Sequence, residues 1–205
     1  MEARHSMSAP NHVEHCANVG SWRLLGLGGL FLVLHAAITS PAGFAGQLSS
    51  EYQVKAAYIS NLLKFVEWPE DSATSSHGKW LIGVIGDTPV AYELSRLVAG
   101  KSVQGRGLEV KTIQSVADVR ECNLLFISAS ERKRLPSILA ALRGSTVLTV
   151  ADMDNFIESG GMVQFVVERN RVRMTIDVGA ASSARLKISA KLLALAGEVT
   201  ARNTE

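Results

Sequence analysis

The 205-residue chain contains few of the residues that disulfide frameworks and most catalytic sets require. It has two cysteines, Cys16 and Cys122, and five histidines, of which only His77 follows residue 45. Beyond residue 45 the sequence therefore offers no cysteine pair and no pair of histidines for a zinc motif. With His77 as the one histidine of this part, we identify no Ser-His-Asp arrangement in any chain order. We expect a protein without an internal disulfide, metal site or cofactor, and not an enzyme.

The sequence also has little excess charge and no complete phosphate-binding loop. The net charge is +2, which gives no argument for a nucleic-acid partner. The segment 83–87 lacks the Gly-Lys-Ser/Thr ending of a phosphate loop. A Gly-Lys-Ser does occur at 100–102, but Ser95 stands where such a loop needs its first glycine. The Gly-x-Gly-x-x-Gly pattern is also missing after the first predicted strand, so the sequence shows neither of these nucleotide-binding motifs.

The longest apolar run, 24–38, is short for a membrane span and follows Arg23. Small residues come after it, and Gly43 with Ala45 fits the small-x-small pattern of a cleavage site. We expect residues 1–45 to be a signal peptide that is removed on export, which leaves 46–205 as one exported domain. The alternative is an apolar segment that is retained as an anchor.

The pattern of apolar residues after residue 50 predicts alternating helices and strands. A helix is expected over 51–67, where apolar residues recur at helical spacing. Strands that alternate with helices favour an α/β fold: a single domain with a mainly parallel open sheet and helices on both faces. The predicted strands are 80–85, 108–113, 124–127 and 147–150, and the predicted helices between and after them are 89–98, 117–121 and 130–143, the last with a kink or late start at Pro136.

A β-hairpin is predicted near the C-terminus, with strands 162–168 and 171–178 around the turn Arg169-Asn170. Pairing outward from the turn places Phe165 opposite Met174 on an apolar face, with Val167 opposite Val172 and Val163 opposite Ile176. The hairpin adds an antiparallel element to the sheet. A last helix is then predicted, with an apolar face made of Ile188, Leu192, Leu195 and Val199.

Small polar residues follow three of the predicted parallel strands. Ligands of open α/β sheets bind beyond the carboxyl ends of such strands, where backbone N–H groups are free near helix starts. The alternative is that these residues form helix caps and turns. The candidate ligand-binding residues are Gly86, Asp87, Thr88, Ser128, Ser130 and Asp152.

Four basic residues are candidates for contact with a partner. Arg171, Arg173 and Arg185 lie with Arg169 in and near the hairpin, where the alternative is a solvated face. Lys55 falls inside the apolar arc of the first helix. It either extends its ammonium to solvent past the apolar surface or directs a charge at a partner or ligand.

Several segments carry a family resemblance. Phe-Ile-Glu-Ser-Gly-Gly-Met-Val-Gln-Phe at 156–165, Arg-Val-Arg-Met-Thr-Ile-Asp-Val at 171–178 and the leucine-rich segment 186–196 come in this order. Two earlier segments, 54–69 and 81–87, agree with them. In sequence and spacing the chain resembles the YfiR-like periplasmic proteins over roughly all of its length after residue 50.

The resemblance implies a regulator that binds the periplasmic region of a membrane diguanylate cyclase, holds it inactive and so lowers cyclic di-GMP and biofilm formation. It also implies an outer-membrane protein that can sequester the regulator, and a homodimer is possible. Two residues depart from the family pattern: Asp177 stands where relatives usually have Asn, and Arg185 where they usually have Gly. The alternatives are a free-standing periplasmic small-ligand-binding module associated with a transporter or receptor, and a hydrolase or transferase.

Overall fold

A twisted sheet forms the centre of the computed structural model, which describes residues 42–69 and 78–202, with side chains from Ser50 onward. These residues belong to one compact unit, Ser40–Glu205. The helices are α1 Ala42–Phe65, α2 Val90–Val98, α3 Leu135–Leu142, α4 Val178–Ser183 and α5 Ala190–Leu193, with 3₁₀ turns at Val116–Glu121 and Ala129–Glu131. The strands are β1 Val66–Glu67, β2 Lys79–Ile85, β3 Ser102–Val103, β4 Arg106–Ile113, β5 Leu124–Ile127, β6 Leu148–Ala151, β7 Val163–Glu168, β8 Arg171–Asp177, β9 Lys187–Ile188 and β10 Glu198–Thr200.

Eight of these strands form the sheet in the order β10-β8-β7-β6-β5-β2-β4-β3. Strands β4, β2, β5, β6 and β7 are parallel, β8 runs antiparallel to β7, and β10 runs parallel to β8. The two short strands β1 and β9 pair separately. The predicted α/β fold with a mainly parallel sheet and a C-terminal antiparallel hairpin is confirmed.

The sheet is buried on both faces because its central strands are apolar throughout. In β5, Leu124 and Phe126 face one core, which α1, α2 and α4 cover, while Leu125 and Ile127 face a second core beneath α3. Successive side chains of a strand point to opposite faces, so the unbroken apolar run Leu-Leu-Phe-Ile fits a strand covered on both sides.

The hairpin has the predicted register, with Phe165 opposite Met174 and Glu168 opposite Arg171. Arg169 and Asn170 both have positive φ, 48° and 64°, as a two-residue type I′ turn requires. Phe165 and Met174 are buried, but Val167 near the tip is exposed although it belongs to the same apolar face. The apolar cover therefore ends before the tip.

The last predicted helix is wrong. Helix α5 is a single turn, Ile188 lies in β9, and Val199 lies in β10. Gly197 N donates to the carbonyl of Met174, and the chain then pairs with the free edge of β8. The open edge of β8 offered backbone hydrogen bonds to this segment, and the sheet pairing outweighed a weak helical pattern.

Helix α1 also differs from its prediction at both ends. It begins at Ala42 and ends at Phe65, because Val66 and Glu67 pair with β9. The late start predicted at Pro136 is confirmed, since α3 begins at Leu135. Residues 1–41 and His77 lie outside the described residues, so the signal peptide and its boundary stay predictions. Among the described residues, no helix has both the length and the apolar character needed to cross a membrane.

Candidate functional site

The first predicted site consists of the loops at 86–88 and 128–130, called here the strand-end loops. The Ser128 hydroxyl donates to the carbonyl of Asp87 (2.9 Å), and the Asp87 N–H donates to the Ser130 hydroxyl (2.9 Å). The Thr88 hydroxyl accepts from Val90 N at the start of α2. The structure therefore brings these predicted residues together, and their polar groups bind one another and a helix end.

Gly86 makes this close approach possible. Its φ is +96°, and a Cβ placed there would lie 2.6 Å from Ser130 Oγ. A larger residue would separate the two loops, so the glycine allows the backbone approach. These contacts are the turns and caps of the alternative interpretation, and a ligand at the strand-end loops stays a prediction.

Asp152, the sixth candidate, has a different partner. Its Oδ2 accepts from Lys55 Nζ of α1 at 2.8 Å, and Glu51 Oε1 lies 2.6 Å from the same nitrogen. Lys55 is only 5% exposed, so the prediction that its ammonium reaches solvent is wrong. Two carboxylates offset the loss of water around the ammonium, which is why it stays inside.

The protonation of Lys55 agrees with this geometry. Burial by itself would lower the pKa of Lys55, but the hydrogen bonds and charges of Asp152 and Glu51 outweigh burial and raise the pKa above its ordinary value. The lysine therefore stays charged at neutral pH. Its charge ties α1 to the end of β6 and is not presented at the surface as a contact for a partner.

The three arginine candidates occupy different positions. Arg171 is exposed at the tip of the hairpin, and the exposed Arg173 lies 3.3 Å from Glu168 on its polar face. Arg185 is exposed just after α4 with φ +61°, where Leu186 N donates to the carbonyl of Ala181. That backbone conformation is the left-handed helix end that favours glycine. The structure thus gives Arg185 a helix-ending position, and no contact with a partner is tested for any of the three.

A groove lies between α1 and the hairpin tip, with a volume of about 330 Å³. Val54 and Val167 are 40% and 48% exposed on its two sides. Contiguous exposed apolar surface can mark an interaction site, and here two exposed valines line the same groove. We call this feature the α1–hairpin groove; it is lined by Ser50, Glu51, Val54, Tyr58, Val167, Asn170, Arg171 and Val172.

The sequence predicts Arg171 as a contact residue, but it does not single out the apolar neighbours of Arg171 in the groove. Val54 belongs to a second apolar stripe of α1, and Val167 belongs to the apolar face of the hairpin. Both therefore read as core residues. The width of the apolar arc on α1 was the available signal, since an arc that wide exceeds what one packed face can cover.

A larger cleft, of about 720 Å³, opens near the amino-terminal end of β6. One wall comes from α3 and the turn after it, and the other comes from α4 with the turn at Ser159 and Gly160. Thr149 and Met162 lie between the walls. No candidate from the sequence analysis lines this cleft.

Cys122 is buried and lies against Gly83 of β2. Burial raises the pKa of the Cys122 thiol to about 12, so the thiol is protonated and unreactive at neutral pH. Within 42–69 and 78–202, no three His, Cys, Asp or Glu side chains come together as metal ligands would.

Comparison with known families identifies the chain. The YfiR/HmsC-like family model matches residues 52–197, which span α1 to the turn before β10. This chain belongs to the YfiR/HmsC-like family. The match includes the hairpin and the Val54 and Val167 sides of the α1–hairpin groove.

Solved structures resemble the chain more weakly. An ABC domain in complex with L-Trp from Streptococcus pneumonia has a TM-score of 0.46 at 10% identity, with 69% of this chain and 58% of that chain covered. A conserved domain protein from Vibrio cholerae O1 biovar El Tor has a TM-score of 0.49 at 13% identity, with 73% and 60% covered. The chain thus spans about three fifths of the solved structures it matches. No curated protein matches it.

Proposed function

We propose that this chain is a periplasmic repressor of a membrane-bound diguanylate cyclase, and that it acts by binding the periplasmic region of the cyclase. Membership of the YfiR/HmsC-like family supports a regulatory role over an enzymatic one. The observation that carries the proposal further is the α1–hairpin groove, because it combines uncovered apolar side chains with a cation.

The groove suits a protein partner because its base is held by packed side chains while the apolar side chains of its walls are exposed. Tyr58 and Phe165 pack with ring centroids 6.0 Å apart, which joins α1 to the buried base of the hairpin. Above this contact, Val54 and Val167 are exposed on facing walls. Binding an apolar side chain between them would bury these valines, and burial of apolar surface is the main driving force of association.

The charges around the groove indicate which charged group of the partner should lie next to its apolar side chain. Glu51 is engaged with Lys55 at 2.6 Å, but Lys55 is shared with Asp152, so the three side chains together have a formal charge of −1. Arg171 is exposed at the rim, and Arg169 of the turn is also exposed. A cyclase segment with an apolar residue next to a carboxylate would therefore complement the groove.

The repressor role is tested in the source cell. Deleting the gene should raise cyclic di-GMP and surface attachment, and re-expressing the exported chain should reverse both. Expression without the export segment should not, because the proposed target surface lies outside the inner membrane. Unchanged cyclic di-GMP on deletion would contradict the proposal and favour the ligand-binding module. A pull-down from membranes with the exported chain as bait would identify the cyclase.

The place of binding is tested by reversing charge. Arg171→Glu with Arg173→Glu should abolish repression while the protein stays folded, since exposed substitutions usually cost under about 0.5 kcal/mol each. Lys101→Glu with Lys133→Glu makes the same charge change at other exposed positions and should leave repression intact. Equal repression by both variants would remove the hairpin from the interface. Sequestration by an outer-membrane protein and homodimer formation stay predictions.

A further inference from the structure

Core side chains that line the cleft between α3 and α4 remain slightly exposed to solvent. Among the described residues, the buried apolar side chains that retain 6–9% exposure are Leu135, Leu142, Met162, Ala180 and Ala184, and all but Leu135 line this cleft. The core is thus incompletely covered at this place. A volume of about 720 Å³ lies within the range of small-molecule sites.

Small residues keep the cleft open. Ala140 lines the α3 wall, while Ala180 and Ala184 line the α4 wall. Gly144 and Gly160 stand at the turns on the two sides with φ +72° and +96°, so these turns exclude most larger side chains. The opening follows from the residues that build its walls.

Among the described residues that line the cleft, one side chain is charged, and it is a cation. Arg143 lines the cleft at the end of α3, and no carboxylate is among the lining residues. Arg120 holds the turn that carries Arg143, because its guanidinium donates to the carbonyls of Ala141 and Arg143. Within the part of the chain that the structure describes, the side chain of Arg143 has no ion-pair partner. A ligand anion would find an unpaired guanidinium on a held turn, while a ligand cation would find no counter-charge.

The remaining polar side chains that line the cleft also favour a ligand with acceptor groups. The hydroxyls of Ser145 and Ser159 donate to carbonyls of their own turns, at 2.6 and 2.7 Å. The Thr149 hydroxyl is buried in an otherwise apolar strand and accepts from Met162 N at 3.1 Å. Its proton has no acceptor among residues 42–69 and 78–202. The cleft therefore offers a donor at Thr149 and a donor at Arg143, with apolar surface between them.

We propose that this cleft binds a small amphipathic carboxylate, with the carboxylate at Arg143 and the apolar body against Leu142 and Met162. The site lies at the amino-terminal edge of β6, away from the strand ends where the sequence predicts a ligand. The inference does not rest on the repressor function, because binding is measured on the isolated exported chain.

Octanoate and octan-1-ol form a matched pair of probes, equal in chain length and different in charge. Titration of the ¹⁵N-labelled chain with octanoate should shift the amide resonances of Gly144, Ser145, Gly160 and Met162 in a saturable way. Octan-1-ol should bind about tenfold more weakly, because it lacks the charge-assisted bond to Arg143. Absence of saturation, shifts centred elsewhere, or equal binding of the two probes would overturn the proposal.

Two kinds of substitution separate the role of the Arg143 charge from that of the cleft volume. Arg143→Gln should weaken octanoate about tenfold and leave octan-1-ol unchanged, while Arg96→Gln, the same change at an exposed position of α2, should alter neither. Ala140→Leu, at an exposed position of the α3 wall, should weaken both probes by filling the cleft; Ser183→Leu fills it from the opposite wall if Ala140→Leu disturbs the fold. Octanoate binding that is unaffected by Arg143→Gln, or by both filling variants, would place the ligand outside this cleft.

Discussion

The strand-end loops and the α1–hairpin groove differ in what their side chains leave unsatisfied. In the loops, the hydroxyls of Ser128 and Ser130 bind the backbone of Asp87, so the polar groups are occupied. In the groove, Val54 and Val167 are apolar and exposed, and Arg171 lies beside them. Polar residues at strand ends are therefore a poor guide to a binding site unless their partners are known. Exposed apolar side chains that line one groove together with a cation are a more specific indication.

Two basic residues near the α1–hairpin groove, Lys55 and Arg171, also differ in whether their charge is paired inside the protein or exposed. Lys55 lies on the same helix as Val54, but it is turned inward and holds Asp152. Arg171 lies across the groove and is turned outward. Of two cations that the sequence assigns to a partner surface, one joins structural elements and one remains exposed. The comparison predicts large stability effects at the first position and binding effects at the second.

The largest expected effect comes from Lys55→Met. The variant leaves Glu51 and Asp152 without their shared cation, and removal of one member of a buried ion pair costs about 3–5 kcal/mol. Lys64→Met removes an exposed lysine from the same helix and should cost under about 0.5 kcal/mol. Urea unfolding at neutral pH measures both. Similar small losses would show that the buried cluster does not stabilise the fold.

The pH dependence of that difference gives a second readout. The folded pKa of Lys55 is raised, so the stabilisation is complete below the ordinary lysine value of about 10.4 and is lost as the pH rises through the folded pKa. The gap in unfolding free energy between wild type and Lys55→Met should be constant from about pH 7 to 9 and narrow only in strongly alkaline solution.

The base of the hairpin should be nearly as sensitive. Phe165 is buried against Met174 and Tyr58, so Phe165→Ala should cost about 3–5 kcal/mol. Val166 lies on the opposite face and is only partly buried, so Val166→Ala should cost under about 1 kcal/mol. Chemical denaturation compares the two. Equal costs would contradict the packing of α1 on one face of the hairpin.

Much of this packing could be predicted from the sequence, because strands sort their side chains over short distances. The alternation around Arg169-Asn170 fixes the hairpin register, and a slip of one residue would bury Arg173. Apolar runs such as Leu124–Ile127 likewise predict strands covered on both faces. The order of these strands with the intervening helices predicts the parallel sheet.

What could not be predicted depends on contacts between distant parts of the chain. Asp152 is 97 residues from Lys55, and nothing local to either residue indicates the pair. Alternation in the hairpin places Val167 on the core face but does not say where the covering helix ends. The prediction of the last helix is wrong because Glu198–Thr200 pairs with the open edge of β8, and periodicity in the sequence does not indicate such a pairing.

Ser130→Ala tests whether the strand-end loops have a structural role or belong to the binding surface. It removes the acceptor of Asp87 N, and because both residues are exposed, water can replace the bond. We expect a loss of about 1 kcal/mol in unfolding free energy and unchanged affinity for the cyclase. Loss of affinity without loss of stability would mean that the strand-end loops belong to the binding surface.

Arg185→Gly should have an effect of similar size but opposite sign, because it should stabilise the protein. Arg185 has φ +61°, and glycine adopts this left-handed conformation without the steric cost that other residues bear, so a gain of about 1 kcal/mol is expected. Arg185→Ala removes the same charge without relieving that cost and should give no gain. If both variants weaken cyclase binding equally, the guanidinium is a partner contact; if neither does, Arg185 only ends α4.

The central claim is that the α1–hairpin groove binds the periplasmic region of the cyclase. Val167 and Val199 are valines of similar exposure, 48% and 45%, one in the groove and one on β10. The most direct test is the dissociation constant of the exported chain with that region, measured for Val167→Asp and Val199→Asp. Val167→Asp should weaken binding at least about tenfold, as loss of an interface anchor does, while Val199→Asp should match wild type. Equal affinity of the two variants, or loss at Val199→Asp alone, would contradict the assignment of the groove.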